Sequence, residues 1–159
     1  MKEIQLTQGK VVLVDDEDFD WLSKSNWHYS KGYAVRTSTK ESGKQRTILM
    51  HREIIKTPDG METDHINGNG IDNRRENLRI CTGSENRRNK KRNRKNISGY
   101  KGVCFYKRDK NWRVQIDVRK QHIFLGYFDT AEEAARVYDD AAKKYHGEFA
   151  NLNIDDKGH

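Results

Sequence analysis

Asp64, His65, Asn77 and Asn86 are the residues of this chain whose types and spacing could do chemistry. They surround a polar loop that runs through Asn67, Gly68, Asn69, Gly70, Asp72 and Asn73. Hydrolysing a phosphodiester needs a nucleophilic water, relief of charge on the phosphate and help for the leaving oxygen. His65 can take the proton of the water, because an imidazole titrates near neutrality. Asp64 and Asn86 offer oxygen ligands, which suit Mg²⁺ or Mn²⁺ rather than zinc. Asn77 reads as a residue that fixes the loop and orients His65 through hydrogen bonds. The residues that follow Asn86 are strongly basic. A hydrolytic site beside a polyanion-binding segment points to cutting nucleic acid.

These residues need a scaffold of strand, loop, strand and helix. Glu62 to Ile66 reads as a short strand and Leu78 to Thr82 as a second. Ser84 can cap a helix that starts with Glu85, Asn86 and Arg87. Neighbouring residues in a strand point to opposite sides. A bend or a strand end must therefore bring Asp64 and His65 to opposite sides of one phosphate.

Upstream, Lys10 to Val14 reads as a strand rich in β-branched residues. Asp18 to Leu22 reads as one or two helical turns, with the acidic run Asp15 to Asp18 as a solvated start. Residues 27–29 and 33–36 flank Lys31-Gly32 as a hairpin. Thr47 to Arg52 is expected to be a further strand, running toward a turn at Pro58-Asp59-Gly60. Downstream, strands are expected over 102–106, 112–119 and 122–126. Trp112, Val114, Ile116 and Val118 share one face, and Arg113, Gln115, Asp117 and Arg119 share the other. Thr130 and Glu133 form a capping box. The helix it opens carries an apolar stripe of Ala134, Val137, Tyr138, Ala141, Ala142 and Tyr145, and Gly147 stops it. Trp21, Trp27 and Trp112 are expected in the core. His28, His122, His146 and His159 are expected at the surface.

The chain has 159 residues, of which 33% are apolar and 35% charged, with a net charge of +7. So small an apolar share favours small modules over one large core. Arg87 to Lys95 holds seven basic residues and no acidic one, an excess equal to the net charge of the whole chain. The positive charge is thus focused at one place, as a phosphate-binding segment requires. No apolar run is long enough to span a bilayer, and the first residues lack the apolar core of a signal peptide. The two cysteines, Cys81 and Cys104, lie far apart without a Cys-x-x-Cys partner, so neither a disulfide framework nor a zinc knuckle is indicated. A reduced, intracellular setting is expected.

His51-Arg52, Asp64-His65, Asn77-Leu78-Arg79 and Ser84-Glu85-Asn86-Arg87 together resemble the HNH (ββα-metal) endonucleases, especially the phage and intron-encoded homing type. The resemblance implies that His65 is the general base, that Asp64 and Asn86 bind one divalent metal, and that Asn77 positions the base. Some members hold a structural zinc on cysteine pairs that this chain lacks, so no zinc is expected. Ser98 to Val103, Trp112, Leu125-Gly126-Tyr127-Phe128, Thr130 to Ala135 and Tyr138-Asp139 resemble the plant ethylene-response-factor DNA-binding domain. In that family a three-stranded sheet enters the major groove. Cys104 stands here where Arg is usual, Gln115 where Glu is usual and Phe124 where Trp is usual, so the plant target sequence does not carry over.

The expectations are these. The fold is α+β. Residues 1–58 are a small mixed module, 59–92 the ββα nuclease core, 93–99 a basic linker, and 100–153 a three-stranded antiparallel sheet packed on one helix. The function is a site-specific DNA endonuclease using one divalent metal, Mg²⁺ or Mn²⁺; the alternative is a non-catalytic DNA-binding regulator. The partner is double-stranded DNA, with no membrane, and the chain acts as a monomer or a homodimer. The DNA contacts fall on His51, Arg87, Arg88, Lys90, Lys91, Arg92, Arg94, Lys95, Lys101, Tyr106, Arg113, Gln115 and His122.

Overall fold

Short antiparallel hairpins supply most of the structure. The computed structural model describes residues 1–39, 43–89 and 96–154, in two compact units, 1–86 and 87–159. Among the described residues there are four small antiparallel sheets and four α-helices. The architecture is mixed α/β.

In the first unit, β1 (Lys2–Gln5) pairs with β2 (Val11–Val14) in the register Lys2↔Val14. Alternation along β2 buries Val12 and Val14 completely. Helix α1 (Asp16–Leu22) carries Asp16, Glu17 and Asp18 in its first turn, where negative charge complements the helix dipole. Strand β3 (His28–Ser30) turns into β4 (Tyr33–Thr39) through Lys31-Gly32. Both turn residues have positive φ, 49° and 96°, the backbone twist that a two-residue hairpin turn demands. Strand β5 (Gln45–Leu49) pairs with β4.

The strand expected over 47–52 ends early. Met50–Ile54 is a helix, α2, with Met50, His51 and Ile54 buried on it. Helical spacing lets those three apolar-facing side chains share one side, which a strand could not do.

Strands β6 (Glu62–His65) and β7 (Leu78–Cys81) pair in the register Asp64↔Arg79 and His65↔Leu78. Helix α3 (Gly83–Asn89) follows. Its cap is Thr82 rather than the expected Ser84. The Thr82 hydroxyl accepts from the Glu85 backbone N–H at 3.3 Å, and Glu85 Oε2 accepts from the Thr82 N–H at 2.7 Å. This is the reciprocal capping box, set two residues earlier than expected.

Residues 1–58 do not stand apart from residues 59–86, with which they form one compact unit. Leu78 of β7 lies in the same buried cluster as Val12, Val14, Leu22, Trp27, Met50 and Ile54. Strand β2 also pairs with the polar loop between β6 and β7. Leu13 N–H donates to Ile71 O at 2.9 Å and Asn73 N–H donates to Leu13 O at 2.8 Å. The acidic run starts the helix as expected and is solvated at Asp16 and Glu17, but not at Asp18. Asp18 is 2% exposed and accepts both Nε and Nη2 of Arg75 at 2.8 Å, while Asp15 accepts the Arg75 N–H at 2.7 Å.

In the second unit, β8 (Val103–Tyr106), β9 (Asn111–Val118) and β10 (Gln121–Phe128) form a sheet in the order β10-β9-β8, packed on α4 (Ala131–His146). The core is Val103, Val114, Ile116, Ala134, Tyr138, Ala141 and Ala142. The Thr130 hydroxyl accepts from the Glu133 N–H and caps α4 as expected. Gly102 lies outside the strand at φ +75°, and a Cβ there would collide with the Tyr138 ring and the Gln115 carbonyl. Three single-residue expectations fail. Tyr145 leaves the stripe and is exposed, Trp21 is exposed with its indole donating to Asp18, and His146 is buried with Nε2 bonded to Asp117 O at 3.0 Å. His159 lies outside the described residues.

Candidate active site and nucleic-acid face

The β6–β7 hairpin presents a different set of groups on each of its faces. Glu62 and Asp64 share one face of β6 by alternation. Arg79 sits directly across from Asp64, and its Nε and Nη2 both donate to Asp64 Oδ2, at 2.8 and 2.7 Å. From α3, Asn86 Nδ2 donates to Glu62 Oε2 at 2.7 Å. Asn86 thereby lies on the face that carries Asp64. Cys81, cross-strand from Glu62, is buried among these groups, and burial with nearby carboxylates pushes its thiol up to about 11. It is an uncharged wall of the site, not a nucleophile.

His65 lies on the other face, at the end of β6. It is 6% exposed. Its ring packs on His51 of α2 with centroids 4.9 Å apart and on Tyr33 of β4 at 5.9 Å. Its Nε2 is 2.8 Å from Asn73 Oδ1. Burial pushes the imidazole below its usual titration range, against the Asn73 hydrogen bond and the charges of Asp64 and Asp72. His51 is driven down to about 3, by burial first and then by the neighbouring His65 and Arg52. Both rings are therefore neutral at neutral pH, the state in which an imidazole can accept a proton.

The loop between the strands is held by its own amides. Asn77 Oδ1 accepts the Asn67 N–H at 3.0 Å, and Asn77 Nδ2 donates to Asp72 O at 2.7 Å. Asn77 therefore grips both arms of the loop, while the side chain on the His65 ring is that of Asn73. Asp72 accepts from Arg74 and Asn67, and the Arg74 guanidinium holds its carboxyl below the usual range. Gly70 needs its missing side chain, since a Cβ there would strike Gly32 O and the Tyr33 ring.

Among the described residues, no cluster of three or more His, Cys, Asp or Glu side chains could hold a metal ion. The donor set around Asp64 is instead one buried carboxylate with the Glu62 and Asn86 side chains on the same face. Such hard oxygens fit an ion of the Mg²⁺ kind, which keeps several waters and takes one or two carboxylates plus substrate phosphate. Arg79 already supplies positive charge to Asp64. His51, expected as a DNA contact, is only 4% exposed and packs its ring edge-to-face with that of His65, so little of it is open to a partner. Asn73, Glu62 and Tyr33 have no role in the sequence reading, and Arg79 enters it only as part of the Asn77-Leu78-Arg79 motif. Arg79 alone carried a usable signal, since the hairpin register sets it opposite Asp64.

On the second unit, strand pairing gathers Tyr106, Arg113, Gln115 and His122 on the sheet face away from α4, with Cys104, Asp117, Phe124 and Tyr127. His122 is bonded to Asp117 there. Phe124 and Tyr127 are exposed, 5.1 Å apart, and the Arg113 guanidinium lies 5.7 Å from the Phe124 ring. Lys101 does not join this row. It precedes β8, and its ammonium donates to the Arg88 carbonyl. Arg87 and Arg88 occupy the last turn of α3. Lys90, Lys91, Arg92, Arg94 and Lys95 lie outside the described residues.

A strand-loop-strand-helix unit with this face pattern has the layout of the HNH nucleases, and a three-stranded sheet with one helix follows it in the chain. The HNH endonuclease family model matches residues 56–88, and the AP2 domain model matches residues 98–148. Protein 3.8 of Escherichia phage T7 is 36% identical over 96 residues, covering 60% of this chain and 78% of that protein. The chain belongs to the HNH endonucleases and carries an AP2 domain. An uncharacterized HNH endonuclease, L560, of Acanthamoeba polyphaga mimivirus is 29% identical over 153 residues, covering 92% of this chain and 76% of the relative. The AP2-like ethylene-responsive transcription factor TOE2 of Arabidopsis thaliana is 48% identical over 62 residues. This chain spans only 13% of that plant regulator's length. No solved structure matches. Among the described residues, no helix is long and apolar enough to cross a membrane.

Proposed function

We propose that the protein is a site-specific DNA endonuclease of homing type that cuts the backbone of double-stranded DNA to a 5′-phosphate and a 3′-hydroxyl. The observation that carries this reading is the two-faced hairpin. It holds a neutral, buried imidazole at the end of β6 and a carboxylate one residue away on the opposite face. His65 takes a proton from water, whose oxygen attacks phosphorus as the bond to the 3′ oxygen breaks. Asp64 and Asn86 would hold one divalent metal, Mg²⁺ or Mn²⁺, which when bound stabilises charge on the phosphate and on the departing oxygen. Asn77 keeps the loop closed. The basic residues from Arg87 to Lys95 neutralise phosphates, and Tyr106, Arg113, Gln115 and His122 read base edges in the major groove. One such site per chain nicks one strand, so cutting both needs a second copy or a second event.

The test is cleavage of a supercoiled plasmid carrying the target, with Mg²⁺, with EDTA, and with His65→Ala. Cleavage in Mg²⁺ that stops in EDTA and in the variant is the expected result. Equal cleavage by the variant rejects His65 as the base.

A further inference from the structure

The geometry points to Asn73 as the positioning residue of the base: its carboxamide oxygen holds the proton of His65 on Nε2 and leaves Nδ1 as the nitrogen that accepts a proton. This deepens the nuclease reading and rests on it. A carboxamide oxygen can only accept a hydrogen bond. With Asn73 Oδ1 2.8 Å from Nε2, the proton of the neutral ring belongs on Nε2. Which ring nitrogen is protonated is set by the bond the other groups make with it.

Asn73 is built for such a task. It is fully buried, with 0% of its surface exposed. Its backbone is clamped independently of its side chain, by its N–H donating to Leu13 O at 2.8 Å, inside a short parallel bridge between Leu13 and Asp72. Its Nδ2 is buried without a hydrogen-bond partner. A buried donor left unmade costs free energy, so the side chain is not placed there for its own stability. The gain lies in what Oδ1 does for the ring.

Asn77 and Asn73 divide the work. Asn77 Nδ2 donates to Asp72 O at 2.7 Å, which fixes the backbone one residue before Asn73. Asn73 then fixes the ring. The N-terminal hairpin enters the same chain of contacts through Leu13, and α2 adds His51, edge-to-face with the imidazole at 4.9 Å between centroids. Residues 1–58 thus supply the surface on which the base is oriented.

The test uses the full chain labelled with ¹⁵N in histidine, with the His65 signals assigned by their loss in His65→Gln. The expected pattern is protonated Nε2 and unprotonated Nδ1 in the wild type. Asn73→Leu, which keeps the side-chain shape and the backbone clamp, is expected to mix both tautomers. Its kcat on target DNA should fall about 10²-fold with KM unchanged, because general-base catalysis is worth roughly 10²–10⁴ in rate. Asn73→Asp, which keeps an acceptor oxygen, should recover the tautomer and part of kcat. A proton on Nδ1 in the wild type overturns the proposal, and this measurement stands even if Asn73→Leu does not fold. So does an unchanged kcat in folded Asn73→Leu, or a fall in kcat with the tautomer intact. A wild type that cleaves no DNA in any metal defeats the nuclease reading instead, while the tautomer still decides the role of Asn73 toward His65.

Discussion

Arg79 Nη2 lies 2.7 Å from Asp64 Oδ2 across the β6–β7 hairpin, so the carboxylate proposed to hold a cation already has one beside it. Asp64 is 4% exposed and Arg79 15%. Arg79→Ala removes the nearest positive charge from a buried carboxylate. Breaking such a pair costs on the order of 3–5 kcal/mol when it is fully buried, and the partial exposure of Arg79 sets the expected loss toward the lower end. A divalent ion restores the missing charge, so Mg²⁺ should raise the Tm of the variant more than that of the wild type. Thermal melts across a Mg²⁺ series measure this. Equal, zero shifts in both proteins reject Asp64 as a metal ligand.

His65→Ala should lower the single-turnover cleavage rate by roughly 10²–10⁴-fold. Binding of target duplex in EDTA should stay within a factor of a few, because the ring is buried against His51 and Tyr33 and reaches the backbone only through the reacting water. Gel shift and single-turnover kinetics separate the two quantities. A parallel collapse of binding would show that His65 serves the fold rather than the chemistry.

The sheet face and the basic segment should fail in different ways. Arg113→Ala removes a fork-shaped donor from the exposed face and should relax preference at one base position, at a cost of about 1–3 kcal/mol. Arg87→Ala should weaken binding to all sequences alike and flatten the log Kd against log salt slope by about 0.9. Competition binding on a set of single-base variants, repeated at several salt concentrations, distinguishes them. A sequence-dependent effect of Arg87→Ala would contradict the assignment.

The first unit should lose stability in acid through His51. Its folded titration point, about 3, lies below the ordinary 6.5. Between those values the unfolded chain binds the proton and the folded one refuses it. The stability is therefore complete above pH 6.5 and drains as pH falls toward 3. One such group accounts for up to roughly 3 kcal/mol by pH 4. His51→Phe keeps the ring and abolishes the titration, so its Tm should fall less steeply with acid than that of the wild type. Identical slopes would assign the acid loss to other groups.

Local patterns in the chain were enough for the elements that depend on local rules. The Lys31-Gly32 turn, the Thr130 capping box, the alternation along β9 and the hairpin around the polar loop all follow from contacts within a few residues. The α2 helix was missed for the same reason in reverse. Met50, His51 and Arg52 follow a true strand without a cap residue or a break, and burial against the neighbouring sheet selects helix there.

The types of residue needed for hydrolysis, and the concentration of positive charge after Asn86, are properties of residue order and were readable before any fold. Which amide touches the imidazole was not. Asn67, Asn69, Asn73 and Asn77 crowd one loop, and a hydrogen bond forms with whichever side chain the folded backbone brings within about 3 Å. That choice is made by Leu13, far away in the chain, when it pairs with residues 71 and 73. The docking of Asp18 on Arg75 and the edge-to-face contact of His51 with His65 arise likewise, from contacts between segments whose separation along the chain carries no trace of their meeting.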